Sequence, residues 1–286
     1  MRKVYCLLLS VVLVVILASV SFAGQLERAT EKVNVTQAKS IEIEGELGCG
    51  EFRITVDSIT EAALFEIRYD ERAVRYDVDY HEKGDRGFLT FESDRRSNVK
   101  FDGDDNRWDI VLSNKYESSL NLDIGACEAK IDLGGIPLKE LSINLGAASG
   151  QIDFGKPNPI RLEEFKMDAG VSSLTMASIG NANFSRFIFN GGLGSYELDF
   201  RGKYKGESEI FIEIGLGSAE IILPADVPVR IESDGDNFLS SVDFHGDNPL
   251  KIDDDTFESG DFEGAKTRII LHLLVGLGSV DIYFKN

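Results

Sequence analysis

One pattern constrains this chain more than any other: alternating apolar residues, a glycine, a few small residues, and a second short apolar alternation. It appears as "LNLDIGACEAKIDL" from Leu120, "LSINLGAASGQIDF" from Leu141 and "FKMDAGVSSLTMAS" from Phe165. It returns as "FIFNGGLGSYELDF" from Phe187, "IFIEIGLGSAEIIL" from Ile210 and "LHLLVGLGSVDIYF" from Leu271. The marker glycines are Gly125, Gly146, Gly170, Gly192 and Gly215, spaced by 21, 24, 22 and 23 residues, with Gly276 in the last copy. A degenerate early copy, "IEIEGELGCGEFRI", starts at Ile41. The alternation has period two, which belongs to half-buried strands and not to helices. A strand of four or five residues cannot bury its apolar face alone, but a stack of identical units can, with neighbours about 4.8 Å apart. The pattern therefore predicts an all-β chain folded as a single-stack β-solenoid with coils of roughly 22 residues.

On this reading "GLGS" is a corner rewritten in each coil, where glycine permits a sharp turn or a close backbone approach. It is not a phosphate loop, because the third glycine of a dinucleotide fingerprint and the following helix pattern are both missing. The expected organisation is a signal peptide at 1–23, a linker at 24–39 and one solenoid domain at 40–286. Within the domain, 40–118 forms irregular N-terminal coils or a sheet-like cap, 119–232 the regular repeats, and 233–286 an insertion and closing coil. Caps are needed because an open terminal coil is an unpaired strand edge.

The chain opens "MRKVYCLLLSVVLVVILASVSFAGQ". Arg2 and Lys3 precede an apolar run, and Ser21 and Ala23 sit at the −3 and −1 positions of a cleavage site after Ala23. The rival reading is an uncleaved anchor, since the run approaches the length of a membrane span. No later stretch is apolar enough to span. Cleavage would leave 28 Lys+Arg against 49 Asp+Glu, a net charge of −21. That charge repels nucleic acid and anionic lipid, and suits solubility outside the cytoplasm. Cys49 and Cys127 remain, with no metal-type spacing. Both align with the corner, so stacking of the Ile41 and Leu120 coils would bring them within reach of a disulfide; two unrelated thiols are the alternative.

The words "KIDLGG", "GKPNP", "GNANF", "YELDFRG" and "GLGSAEIILP" resemble the toast-rack family of exported β-rich proteins. They are similar also to the C-terminal domain of the cell-wall-active antibiotic response proteins and to the broad adhesin-type solenoid group. The resemblance covers most of the chain from about Ser40 onward. It implies a single β-solenoid, a bacterial source and an envelope location. It carries over no catalytic residues. The regulatory role of the antibiotic-response relatives, which have N-terminal membrane helices, transfers weakly to a chain with a signal peptide only.

Residues with catalytic potential form no constellation. His81, His245 and His272 lie in unrelated segments, and the "LHL" context reads His272 as a solvent-facing strand residue and not a ligand. "GAASG" around Ser149 is not a nucleophile elbow. Asp123, Asp132, Asp153, Asp168 and Asp199 recur at outward strand positions and read as a solvated face. "DGDDN" at Asp102–Asn106 alternates oxygens as calcium loops do, but Arg107 and Ser113 stand where such a loop wants glycine and a bidentate acid. That segment, the turns at Asp234 and Gly246, and "DDD" at Asp253–Asp255 read better as Asx-type turns. Trp108 is expected to be a buried anchor for the cap, with a sugar-stacking platform as the alternative. Phe165, Phe184, Phe187, Phe189, Phe200 and Phe211 are expected as interior stacks.

The function expected is an exported, non-enzymatic scaffold of the bacterial envelope that binds a protein partner, in adhesion or envelope-stress signalling. The alternative is a solenoid that binds or cleaves carbohydrate, with cell-wall glycan as ligand; that reading requires exposed aligned aromatics beside an acid pair. No cofactor, metal or nucleic acid is expected. Oligomeric state is left open by the sequence.

Overall fold

The computed structural model describes residues 26–96, 106–233, 240–246, 250–253 and 255–286. The segment read as a signal peptide, most of the "DGDDN" loop and the "DGDN" turn at Asp234 lie outside the described residues, as do parts of the turns at Gly246 and Asp253. The N-terminal strands are β1 (Leu26–Val33), β2 (Ser40–Asp57), β3 (Ala63–Asp70), β4 (Val74–Lys83), β5 (Arg86–Arg95) and β6 (Asn106–Ser113). The regular array comprises β7 (Glu117–Asp132), β8 (Leu138–Leu145), β9 (Ser149–Asp153), β10 (Leu162–Ala177), β11 (Phe184–Asp199) and β12 (Glu207–Pro224). The chain continues with β13 (Val229–Ser233), β14 (Ser240–His245), β15 (Leu250–Lys251), β16 (Thr256–Ser259) and β17 (Arg268–Lys285).

The chain is all-β and stacks as a solenoid. β2, β7, the β8–β9 pair, β10, β11, β12 and β17 pair in parallel as successive coils. The two near-identical phrases of the C-terminal half lie side by side: Glu213 opposes Leu274, Leu216 opposes Leu277 and Ser218 opposes Ser279. Buried side chains change parity at every corner. In β12, Ile210, Ile212 and Ile214 point inward before it, and Ala219, Ile221 and Leu223 after it. Alternation fixes which face a side chain takes, so the parity shift means each coil turns there and offers a fresh inward face on the far side. The two arms close on one core. One of its columns runs Ile43, Leu120, Leu141, Phe165, Phe187, Ile210, Leu271 and Ile231, each opposite the next. Phe165 and Phe187 meet edge to face at 4.8 Å between ring centroids, a favoured aromatic geometry.

Both ends abandon the coil pattern. At the N-terminal end, the first arm of β2 pairs with β5 and the second with β6, both parallel; β4 then covers β5, β3 covers β6 and β1 covers β3, all antiparallel. Strands β3 to β6 are thus layered in sheet fashion over the end of the array. Trp108 anchors them, fully buried against Phe52, Phe65, Tyr76 and Phe91, with its indole N–H donated to Asn106 Oδ1 at 2.9 Å. At the other end β13 and β14 extend the two arms of β17 in parallel, and β16 and β15 close over β13 antiparallel.

Two of the turns that return a coil are held by asparagines. Asn158, of the "GKPNP" word, donates to Leu138 O at 2.8 Å and accepts from Leu138 N and Ile160 N. Asn183, of "GNANF", adopts φ 56° and donates to Ile160 O at 2.7 Å. Asparagine tolerates the left-handed region, and its amide satisfies backbone groups that a solenoid turn leaves buried.

Candidate docking face

At the corner the chain presents four parallel columns. The marker glycines form the floor. A Cβ on Gly192 would stand 2.5 Å from Gly170 O, one on Gly276 2.5 Å from Gly215 O, and one on Gly215 3.0 Å from Gly192 O. Gly48, Gly125 and Gly146 continue the same contact toward the N-terminal end. Backbone lies directly against backbone here, so the floor has no side chains.

One wall of the resulting groove is polar and acidic. Glu46, Asp123, Asn144, Asp168, Asn190 and Glu213 stand opposite one another in successive coils. Asn144 donates to Asp123 Oδ1 at 2.5 Å and Asn190 to Asp168 Oδ1 at 2.6 Å. Asp168 also takes Lys166 at 2.8 Å. Burial alone would raise its carboxyl, but the Lys166 and Asn190 hydrogen bonds outweigh it and hold the group below the usual range. The groove encloses about 830 Å³, and among the described residues no lysine or arginine lines it.

On the other side of the glycine floor runs an aliphatic ridge, each of its residues next in sequence to Gly170, Gly192, Gly215 or Gly276. Val171, Leu193, Leu216 and Leu277 stand opposite one another across four coils. Their exposures are 60%, 50%, 47% and 44%; among the described residues the other large exposed hydrophobics are Ile252 and Leu274. Apolar side chains are usually scattered when exposed; a contiguous row is a recognition feature. Beyond the ridge runs a row of serines, Ser149, Ser173, Ser195, Ser218, Ser279 and Ser241, again in register.

The residues singled out in the sequence fall as follows. Gly125, Gly146, Gly170, Gly192, Gly215 and Gly276 share the floor column. Cys49 lies opposite Ala126 and Cys127 opposite Gly50, one step out of register on adjacent coils, and both are free thiols. Burial pushes the Cys127 thiol up to about 12, with a smaller contribution from Cys49. The recurrent aspartates divide: Asp123 and Asp168 wall the groove, while Asp132 and Asp153 oppose each other at the far end of the second arm, and Asp199 forks with Arg201.

Five of the six phenylalanines are interior, with Phe211 the exception. It lies on the outer face, stacked on His272 at 4.5 Å, with the Arg186 guanidinium 5.1 Å over the ring. Those two partners occupy the ring faces that a sugar would need. Each histidine sits beside an aromatic ring and a carboxylate: His81 with Phe88 and Asp79, His245 with Tyr283 and Asp281, His272 with Phe211 and Glu232. Among the described residues no group of three His, Cys, Asp or Glu side chains is placed to hold a metal ion.

The ridge escaped the sequence reading. Its signal was an apolar letter directly after the marker glycine: where core parity shifts, the residue at the corner belongs to neither inward set.

The family model of the N-terminal domain of toast_rack, DUF2154, matches residues 22–177. This chain belongs to the toast-rack family. No curated protein matches it. Among solved structures it is similar to one named "putative cell adhesion protein" from Clostridium sporogenes ATCC 15579, at 19% identity and TM-score 0.50, over 91% of this chain and 100% of that one. It is also similar to a "putative adhesin" from Bacteroides fragilis NCTC 9343, at 11% identity and TM-score 0.35, over 91% and 98% of the two chains. The Clostridium likeness bears on the fold alone. Among the described residues no helix of this toast-rack chain is long and apolar enough to cross a membrane.

Proposed function

We propose that this protein is an exported, non-enzymatic scaffold of the bacterial cell envelope that engages an external protein partner through its corner face, in adhesion or in envelope-stress signalling. The observation that carries the proposal is the ridge of Val171, Leu193, Leu216 and Leu277, four exposed apolar side chains in register in one row. A rigid stack keeps such a row straight and prepaid in conformational entropy, which favours binding. The toast-rack family and the names of the structural neighbours support a surface role without chemistry. The acidic character supports an exported, soluble life.

The test is site-specific photocrosslinking in cells that produce the full chain. A crosslinker at Leu216 is expected to capture one protein reproducibly, and one at Lys203, exposed on a turn away from the corner, to capture none of it. Equal capture from both positions, or cell-wall fragments alone from Leu216, would refute the proposal.

A further inference from the structure

The groove beside the ridge specifies more than a docking area. From the chemistry and spacing of its walls, we infer that it takes an extended, polyproline-II-like segment of a partner protein, with a basic residue at every third position and aliphatic residues between. The inference rests on the docking reading of the corner face and adds the chemistry of the occupant.

Charge comes first. Among the described residues the lining contains Glu46, Asp94, Asp123, Asp168 and Glu213 and no basic residue. Lys166, which pairs with Asp168, lines the neighbouring groove instead. A second copy of this chain would bring the same wall, on a molecule of net charge −19, against itself. Like charges set face to face oppose association, so the occupant is cationic and is a different molecule.

Spacing comes second. From Asp123 onward, acidic and amide residues alternate along the wall: Asp123, Asn144, Asp168, Asn190, Glu213, one per coil, with Glu46 a further acid directly beside Asp123. Coils lie about 4.8 Å apart, so the carboxylates of Asp123, Asp168 and Glu213 recur at about 9.6 Å. In a polyproline-II segment, residues i and i+3 share one side and lie about 9.3 Å apart. In a β-strand, residues that share a side recur at about 6.7 Å or 13 Å, and neither distance matches. From β2 to β12 the groove spans five coil steps, about 24 Å, room for about eight residues of polyproline II.

Apolar contact comes third. The ridge borders the same groove floor, so aliphatic side chains between the basic ones can lie on Val171, Leu193 and Leu216. Neither wall alone selects such a segment. A simple polyamine would satisfy the carboxylates and ignore the ridge.

The experiment uses the full chain and fluorescent peptides read by anisotropy. One peptide repeats Lys-Leu-Pro, the second has the same composition with lysines at alternate positions, and the third replaces leucine with serine. The first is expected to bind roughly tenfold tighter than either of the others, and more weakly as salt rises. L193S/L216S and D123N/E213Q are expected to weaken it by roughly tenfold each. These four side chains are solvent-facing, and circular dichroism of each double variant verifies the fold. Equal affinity for all three peptides would mark a nonspecific polyanion and overturn the inference, as would no binding at all. If Leu216 crosslinks a partner in cells while no basic peptide binds, the docking reading stands and this inference falls.

Discussion

Gly192 shows how little freedom a single position has in this fold. Its missing Cβ would meet Gly170 O at 2.5 Å, and the obstacle is backbone, which cannot swing aside. Gly206 differs: its φ of +78° favours glycine, but nothing lies within 4 Å of an added Cβ. Gly192→Ala is therefore expected to cost about 2–3 kcal/mol by forcing two coils apart, and Gly206→Ala about 1 kcal/mol from backbone conformation alone. Urea denaturation of the two variants measures the difference; equal costs would mean that close approach is not what the floor requires. At this scale the sequence was most readable where a residue type has one physical use. Trp108 was legible as an anchor because a lone large indole beginning a strand is costly to expose. The roles of Asn158 and Asn183 were hidden inside family words, since an asparagine that bonds backbone looks like any turn asparagine until its partners are known.

Within a coil, the last inward residue before the corner is followed five positions later by the first inward one after it, and in two coils the two positions meet directly. The pairs are Ile124 with Ala129, Leu145 with Gly150, Ala169 with Leu174, Gly191 with Tyr196, Ile214 with Ala219, and Val275 with Val280, all buried. Large meets small in nearly every case. A Cβ on Gly191 would strike the Tyr196 ring at 2.7 Å, and one on Gly150 would strike Leu145 at 2.8 Å. Interiors packed this closely punish added volume. Ala169→Leu alone is expected to destabilise by about 1–3 kcal/mol, and Leu174→Ala in the same chain to recover at least about 1 kcal/mol of it as coupling. A double-mutant cycle by thermal or urea unfolding measures the coupling, and additivity would show that the two positions do not share a cavity. The coils themselves were legible because each is local: alternation, glycine and alternation fall within some 22 residues. The strands of residues 60–118 kept a legible type but not a legible place. Whether β6 runs parallel to β2, and β3 antiparallel to β6, is decided by pairing partners tens of residues away, which no local pattern records. The ridge was missed for a related reason: exposure at a corner follows from where two sheets meet, not from the hydropathy of one letter.

The molecule as a whole is acidic, yet several carboxylates are structural. Asp70, buried at the end of β3, is held below the ordinary carboxylate range by the Arg72 fork, at 2.9 Å and 2.6 Å. Burial would raise Glu82, but donation from Thr36 N, Tyr80 OH and Gln37 N prevails and lowers it, as the Lys166 and Asn190 contacts lower Asp168. A carboxylate with a depressed folded pKa stabilises above its unfolded value, and that contribution is lost as pH falls through the folded one. Thermal stability is therefore expected to decline below about pH 4, and Asp70→Asn to lose less than the parent over that limb while starting lower at neutral pH. A melting temperature that holds level to pH 2 would contradict this.

One strand, β17, completes the array against β12 and also carries β13 and β14 on its other edge. Until it docks, β12 is a bare parallel edge and the C-terminal cap has no bed. The contact that seals the stack joins residues such as Glu207 and Arg268, 61 positions apart in sequence. Pairings of that separation are slow to find. Closure of this end is thus expected late in folding, with the last coil and its cover arriving together, and a chain caught before it would offer an aggregation-prone edge.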